Sequence, residues 1–248
     1  MFGATAKIGK WLKFVGAADY SDNIEGNISF AKHVLYEDFD SPAIDETNDW
    51  AVNESHGGSG AISVAKNGVY RLASSTTNLD KCELARELVW YASCAAIIEV
   101  RLKVNVITTV GINAGFVDAK SYSDDQIAFE ISGATITDRA TDGVCFVFDT
   151  GANNAYWHMC NTKNTTQAGT SIVIAPVAAT YETFRIALDT AGSAAFYRNG
   201  VLKGFKYQAV TTTVALTPYV AVISRSASAA RNLDVDYIKC WQSRGPNS

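Results

Sequence analysis

The acidic residues of the chain form two clusters that could do acid–base chemistry. Asp124, Asp125 and Glu130 lie close together in the sequence, and Asp234 and Asp236 share one face of a predicted strand. Retaining hydrolysis of a glycosidic bond needs two carboxyl groups about 5–5.5 Å apart, and strand residues two or four apart share a face. The first cluster has the wrong parity, and the second lies on a predicted outward face, where solvated carboxylates are the usual case. We therefore predict no catalytic residue.

Histidine and cysteine form no metal or nucleophile motif. His33, His56 and His158 are widely separated and lack the spacing of metal ligands. The five cysteines contain no CxxC unit, and their odd number favours buried thiols over a disulfide framework. The glycine-rich residues 56–60 join two predicted strands and do not open a helix, as a phosphate loop would. We predict no metal and no cofactor.

The bulk composition limits the classes of partner. The chain has 248 residues, of which 48% are hydrophobic and 19% charged, which is ordinary for a folded protein. Its net charge is -4, and its basic residues are spread along the sequence, so no basic stripe favours nucleic acid. No stretch reaches the roughly 18 apolar residues of a membrane span, and the first residues lack the core of a signal peptide. We predict no nucleic acid, no membrane and no secretion.

The first 32 residues differ from the rest of the chain. Ile8, Trp11, Leu12 and Val15 recur at helical spacing with lysines between them, which predicts a short amphipathic helix over residues 5–15. A polar linker follows. Because a helix this short is marginal alone, it either packs on its own sandwich or docks as an arm on a neighbouring subunit or another protein. Both alternatives stay open, and the four apolar residues are the predicted partner-binding residues of the arm.

From residue 33 the hydrophobic period changes from helical to two, which predicts strands. The alternating inward positions include Ile98, Val100, Leu102 and Val104, then Ile127, Phe129 and Ile131, then Phe184, Ile186 and Leu188, and finally Leu233, Val235 and Tyr237. Residues 144–148 are apolar on both sides, so they should lie centrally in a sheet or beneath a loop. Asn199-Gly200 predicts a tight hairpin. Only residues 79–88 suggest a second short helix.

These patterns predict one all-β domain, an antiparallel two-sheet sandwich of jelly-roll type over residues 33–243. Residues 1–32 form the arm and linker, and residues 244–248 form a tail. Strands never alternate with long helical stretches, which excludes a parallel α/β sheet.

Three segments resemble the concanavalin A-like lectin/glucanase jelly roll. They are residues 36–55, which contain YEDFD and NDWAVNES, residues 181–202, which contain YETFRIALD and the Asn199-Gly200 hairpin, and residues 233–242, LDVDYIKCWQ. Together they span most of the chain. Glycosidases of this family carry two Glu on one strand in an E-x-D-x-E-like arrangement. This chain has no such acidic triplet, which argues against glycosidase activity. Nor does it carry over the Asp and Asn pair that holds calcium in legume-type lectins.

Lectins stack sugars on exposed rings, so the aromatic residues form a second kind of candidate site. Tyr156 and Trp157 are adjacent, and adjacent strand residues face opposite ways, so one ring points outward. These two are the candidate glycan or interface aromatics, although packing in the core or an interface is the favoured interpretation. An open aromatic cleft on the concave sheet would favour glycan binding.

A narrower resemblance is to structural proteins of tailed phages. Residues 124–134 (DDQIAFEISGA) and 175–183 (APVAATYET) are similar to segments of such proteins, as is the closing strand. The resemblance implies a non-enzymatic virion protein that decorates or cements the capsid, assembled in the host cytoplasm and displayed on the capsid surface. Its expected partners are the major capsid protein, other virion proteins and copies of itself, with a trimer as one form. The alternative is a carbohydrate-binding, lectin-like module of a tail or head fibre that engages host-surface glycans.

Overall fold

A computed structural model describes residues 32–63, 68–226 and 230–244, and in these ranges the regular secondary structure is almost entirely β-strand. A single 3-10 turn spans Ala92–Cys94. The strands in chain order are β1 (Lys32–Glu37), β2 (Ala51–Glu54), β3 (Ser59–Ser63), β4 (Val69–Ala73), β5 (Lys81–Ala85), β6 (Ile97–Val104), β7 (Val110–Val117), β8 (Phe129–Ser132), β9 (Thr135–Asp138), β10 (Asp142–Asp149), β11 (Trp157–Lys163), β12 (Thr166–Ser171), β13 (Glu182–Leu188), β14 (Ala194–Arg198), β15 (Val201–Lys206), β16 (Thr217–Ser224) and β17 (Asn232–Ser243).

The strands form two large antiparallel sheets and one separate hairpin. The eight-stranded sheet has the order β15-β14-β13-β6-β17-β4-β3, and β1 pairs with the C-terminal half of β17. The seven-stranded sheet has the order β12-β11-β10-β7-β16-β5-β2, and β8 pairs only with β9. The predicted all-β architecture of two antiparallel sheets is therefore confirmed.

The main core lies between the two sheets and is built from the inward half of each alternating strand. In β6 the residues that face this core are Ile98, Val100, Leu102 and Val104, as predicted. Large rings fill the centre: the ring centroids of Trp157 and Phe184 lie 4.5 Å apart, and those of Phe146 and Phe184 lie 4.9 Å apart. Burial of the alternating apolar residues is what holds the sheets together.

The Asn199-Gly200 hairpin forms as predicted. It joins β14 to β15, and both residues have positive φ angles, 50° for Asn199 and 75° for Gly200. Asparagine and glycine tolerate this left-handed backbone, and such a turn matches the twist of the flanking strands. The turn therefore sets the register of the edge strand β15.

Two local predictions are wrong. Residues 79–88 contain the buried strand β5 where a short helix was predicted. In β17 a bulge between Val235 and Tyr237 shifts the register against β6. A bulge adds one residue and reverses the alternation beyond it, so Tyr237 faces outward opposite Arg101, not inward with Val235.

Among the described residues, the first strand begins at Lys32 and the last ends at Ser243. The predicted arm residues Ile8, Trp11, Leu12 and Val15 lie outside the described part of the chain. Within that part, no helix has the length and apolar character needed to cross a bilayer. All five cysteines are free thiols.

Candidate functional site

The two sheets present very different outward faces, and the face of the seven-stranded sheet is covered by the chain itself. Residues 118–141, which include the β8-β9 hairpin, pack across it. Ile127, Phe129 and Ile131 are buried there in a second apolar cluster with Val147 and other outward residues of the sheet. Residues 144–148 consequently have the main core on one side and this covering segment on the other, which explains why they are apolar throughout.

Polar contacts fix the covering segment to the sheet. The side-chain amide of Asn113 in β7 accepts a hydrogen bond from Phe129 N at 2.7 Å and donates one to Phe129 O at 2.9 Å. Asp149 accepts from Ile131 N at 3.0 Å. Arg225 joins Asp149 to Glu130 of the covering segment, with 3.1 Å from its Nε to Asp149 Oδ1 and 2.9 Å from its Nη1 to Glu130 Oε2. The backbone of β8 is thus bonded to side chains of the sheet.

A buried ion pair lies under the same segment. Lys81 Nζ is 2.6 Å from Glu83 Oε2, and both side chains are fully buried. Lys81 also donates to the carbonyl oxygens of Tyr122 and Ser123 at 2.8 and 3.0 Å, while Glu83 accepts from the Tyr219 hydroxyl. Burial, together with the nearby Glu83 carboxylate, raises the pKa of Tyr219 well above its usual value. These side chains anchor the cover and are closed to solvent.

The acidic residues of this region are engaged in structural contacts. Of the predicted cluster, Asp125 lies 3.3 Å from His56 Nδ1 and Glu130 binds Arg225, so the two carboxylates serve different partners. The described carboxylates beneath the cover, Glu83 and Asp149, are buried and held by cations. The glycosidase hypothesis therefore gains no support from this face.

The buried cysteines also have structural surroundings. Burial raises the pKa of Cys160 to about 12 and that of Cys145 well above its usual value. Such thiols stay protonated at neutral pH and are poor nucleophiles. No group of three or more potential metal ligands occurs in residues 32–63, 68–226 and 230–244.

The outward face of the eight-stranded sheet is arranged differently. Strand register places six apolar side chains in one line across six neighbouring strands, which we call the apolar row. It runs through Val34, Trp241, Ile97, Ala187, Ala195 and Phe205, each residue opposite the next. At strand spacings of about 4.8 Å the row is roughly 24 Å long. It begins at β1 and ends at the edge strand β15.

A groove of about 570 Å³ lies over the β15 end of this row. Its aromatic walls are Tyr197 and Phe205, and Phe205 is 56% exposed. Arg185 lies with its guanidinium carbon 4.3 Å from the Tyr197 ring centroid, which braces that ring. The polar rim contains Asp189, Thr190 and Ser193. The groove combines ring surfaces with hydrogen-bonding groups, as small-molecule sites do.

The polar rim is organised by a tight turn between β13 and β14. Asp189 Oδ1 accepts hydrogen bonds from Ala191 N at 2.9 Å and Ser193 N at 2.8 Å. Asp189 itself is exposed, so its carboxylate is held in place yet reaches solvent. Sequence analysis missed this site, because only the cross-strand register brings β13, β14 and β15 together here.

A band of charged and aromatic side chains flanks the apolar row. Lys239 Nζ lies 5.0 Å from the Tyr36 ring centroid and 5.4 Å from that of Tyr237. The Tyr237 hydroxyl donates to Glu99 Oε1 at 2.9 Å. Burial first and the neighbouring Glu99 second raise the pKa of Tyr237, which keeps this hydroxyl protonated. The bulge in β17 is what brings Tyr237 to this face.

Asp234, predicted to be solvated, is covered. Its carboxylate receives two hydrogen bonds from Arg71, at 2.6 and 3.0 Å, and lies 3.2 Å from Lys103 Nζ. Burial acts to raise its pKa, but the hydrogen bonds from Arg71 and Lys103 outweigh burial and hold the pKa below its usual value. Asp236 pairs separately with Arg101. The two aspartates are therefore parts of a structural ion-pair network.

The predicted aromatic pair is split between core and surface. Trp157 is fully buried and packs against Phe148 and Phe184. Its ring therefore lies in the core, where neither a glycan nor a second subunit can contact it. Tyr156 is half-buried and stays a candidate by prediction only. The structure brings neither residue to the groove.

Comparison with known proteins identifies the fold. No protein-family model and no curated protein matches the sequence. Among solved structures, the carbohydrate recognition domain of Emp47p is 11% identical, with a TM-score of 0.59, covering 85% of this chain and 95% of that one. A Bacillus licheniformis beta-glucanase is 16% identical, with a TM-score of 0.55 and coverage of 85% and 98%. The likeness is one of fold, the concanavalin A-like sandwich.

Proposed function

We propose that this chain is a non-enzymatic carbohydrate-binding module that holds a glycan in the groove between Tyr197 and Phe205. The observation that carries the proposal is the groove itself, in which two aromatic rings stand beside the polar rim of Asp189, Thr190 and Ser193. Sugars present apolar C–H faces and a ring of hydroxyls, so aromatic walls and a polar rim match both. Its volume lies within the range of about 300–1,000 Å³ typical of ligand pockets.

The covered face supports the same proposal. A sandwich of this fold could bind a ligand on the outward face of either sheet. On the seven-stranded sheet that face is occupied by residues 118–141, with Phe129 and Ile131 buried against it. The eight-stranded sheet keeps its outward face open at the groove. The relatives in fold include a carbohydrate recognition domain and a beta-glucanase, which supports a glycan as the ligand class.

The test is a screen of the purified chain on an array of surface oligosaccharides, followed by titration of the strongest binder. Phe205→Ala and Tyr197→Ala should each weaken binding about tenfold, because each removes a ring contact of about 1.4 kcal/mol. Tyr207→Ala is the matched control, since Tyr207 is 88% exposed and does not line the groove. An array without binders, or equal losses in all three variants, would contradict the proposal.

A second candidate function is the capsid-decorating virion protein of the tailed-phage resemblance. It is favoured by the apolar surface of the edge strand β15, where Val201 and Leu202 are exposed, with Tyr207 just beyond. Exposed apolar patches of this kind mark protein contacts. The mass of the chain in solution, measured with and without residues 1–32, tests it. A trimer or other oligomer that loses capsid attachment without the arm supports this function, and a monomer indifferent to the arm counts against it.

A further inference from the structure

We propose that the groove is one end of a longer site, and that its ligand is a linear oligosaccharide whose far end lies against Tyr36 on β1. This inference rests on the proposed glycan binding and deepens it, because it gives the length and the course of the sugar chain. Three observations carry it: the direction of the groove, a second exposed ring in line with it, and the similar surroundings of the two rings.

The first observation is the direction of the groove. Its lining residues come from four neighbouring strands and include Ile97 on β6, Ala187 on β13, Ala195 on β14 and Phe205 on β15. Each of these residues lies opposite the next in the strand register, so the groove runs across the strands. At about 4.8 Å per strand it is roughly 14 Å long. One end reaches the sheet edge at β15, and the other points across the sheet face towards β17 and β1.

The second observation is an exposed ring at the far end of the same face, that of Tyr36, which is 55% exposed. Strand register places it in line with a ring of the groove: Tyr36 lies opposite Lys239, Lys239 opposite Glu99, Glu99 opposite Arg185, and Arg185 opposite Tyr197. The two tyrosines are therefore four strand spacings apart, about 19 Å. A single sugar unit is too short to contact both rings, whereas a linear chain lying across the strands can do so.

The third observation is that the two rings are held in the same way. The Arg185 guanidinium carbon lies 4.3 Å from the Tyr197 ring centroid, and Lys239 Nζ lies 5.0 Å from that of Tyr36. A cation over one face of a ring is attracted to it and restricts its motion, and a ring that is already held loses less entropy when a ligand stacks on it. Glu99, midway between them, is only 7% exposed and does not stand in the path of a chain.

A chain could also leave the groove by its other end, past the edge strand. Tyr207 follows β15 on that side and is 88% exposed. Among the described strands, β15 is the last one of the sheet there, so a chain that left this way would pass into solvent beyond Tyr207. The course towards Tyr36 keeps the whole chain on the sheet face. The two courses end at different tyrosines, which makes the direction testable.

The experiment measures the affinity of the full chain for a size ladder of fluorescently labelled oligosaccharides, from monosaccharide to octasaccharide, built from the sugar repeat of the array's strongest binder. We expect the dissociation constant to fall about tenfold once the chain is long enough to reach Tyr36, because one further ring contact is made. Equal affinity from disaccharide to octasaccharide would overturn the longer site and leave the groove as a site for short sugars. Absence of binding at every length would overturn the proposed function as well.

Variants locate the added contact. Tyr36→Ala should abolish the roughly tenfold gain of the long chains and leave the affinity for the shortest binders unchanged, which also shows that the variant folds. Tyr36→Phe keeps the ring and should keep the gain. Tyr207→Ala is the matched control, because it removes an exposed tyrosine that lies off the proposed course, and it should behave like the unsubstituted chain. A gain that survives Tyr36→Ala, or that is lost in Tyr207→Ala instead, would overturn the proposal.

Discussion

Both outward faces of this sandwich are formed by the outward-pointing residues of the strands, but one face is covered by the chain and the other is open. On the seven-stranded sheet, residues 118–141 cover the outward residues and turn them into a second core. On the eight-stranded sheet, the outward residues form ion pairs, aromatic contacts and an open groove. The covered face therefore contributes to the stability of the fold, and the proposed glycan site lies on the other face. Substitutions on the two faces should therefore separate these effects.

The sharpest comparison is between one phenylalanine on each face. Phe129→Ala should lower the free energy of unfolding by about 3–5 kcal/mol, the usual cost of removing a buried ring. Phe205→Ala should change it by no more than about 0.5 kcal/mol, because that ring is already half exposed. Denaturant unfolding followed by tryptophan fluorescence measures both. Equal losses at the two positions would remove the distinction between the faces.

Two lysines give the next comparison. Lys81→Met leaves the Glu83 carboxylate buried without its cation and should cost about 3 kcal/mol. Lys239→Met removes contacts over the Tyr36 and Tyr237 rings on the open face, worth about 0.5–1 kcal/mol. Thermal and urea unfolding report the difference. If Lys81→Met is as mild as Lys239→Met, the cover does not exclude water from the ion pair.

Only part of this fold could be predicted from the sequence. The strand alternation of β6 and β13, and the Asn199-Gly200 turn, depend on neighbours along the chain, and both were predicted correctly. The burial of Lys81 and Glu83 could not be, because both residues look like surface residues until residues 118–141 cover them. The same reason explains the wrong helix prediction for residues 79–88, since strand β5 is buried on both sides.

The arrangement of the open face could not be predicted from the sequence for a different reason. Tyr237 was assigned to the core because its alternation with Val235 was extended without a bulge. The apolar row and the groove combine residues from β1, β17, β6, β13, β14 and β15, and their alignment depends on cross-strand register. Local periodicity says which face a residue takes but not which residues lie opposite it, so the candidate site emerged only with the fold.

A further expected effect on stability depends on pH and belongs to the eight-stranded sheet's outward face. Asp234 has a lowered pKa in the folded chain. Its ion pairs therefore stabilise the fold fully at pH values above its unfolded pKa of about 3.9, and this stabilisation is lost as the pH falls through the folded pKa. Asp234→Asn should cost about 1 kcal/mol at pH 7. That deficit should shrink in urea unfolding at progressively lower pH below 4. A deficit that grows with acidity would contradict this assignment.

The most direct test of the central claim is amide hydrogen exchange of the full chain, with and without a saturating amount of the oligosaccharide selected on the array. The account predicts added protection in β13, β14 and β15 around the groove, and no change in β7, β10 or residues 118–141. Protection confined to the covered face, or loss of protection in residues 118–141 on binding, would show that the ligand displaces the cover and that the binding face has been misassigned.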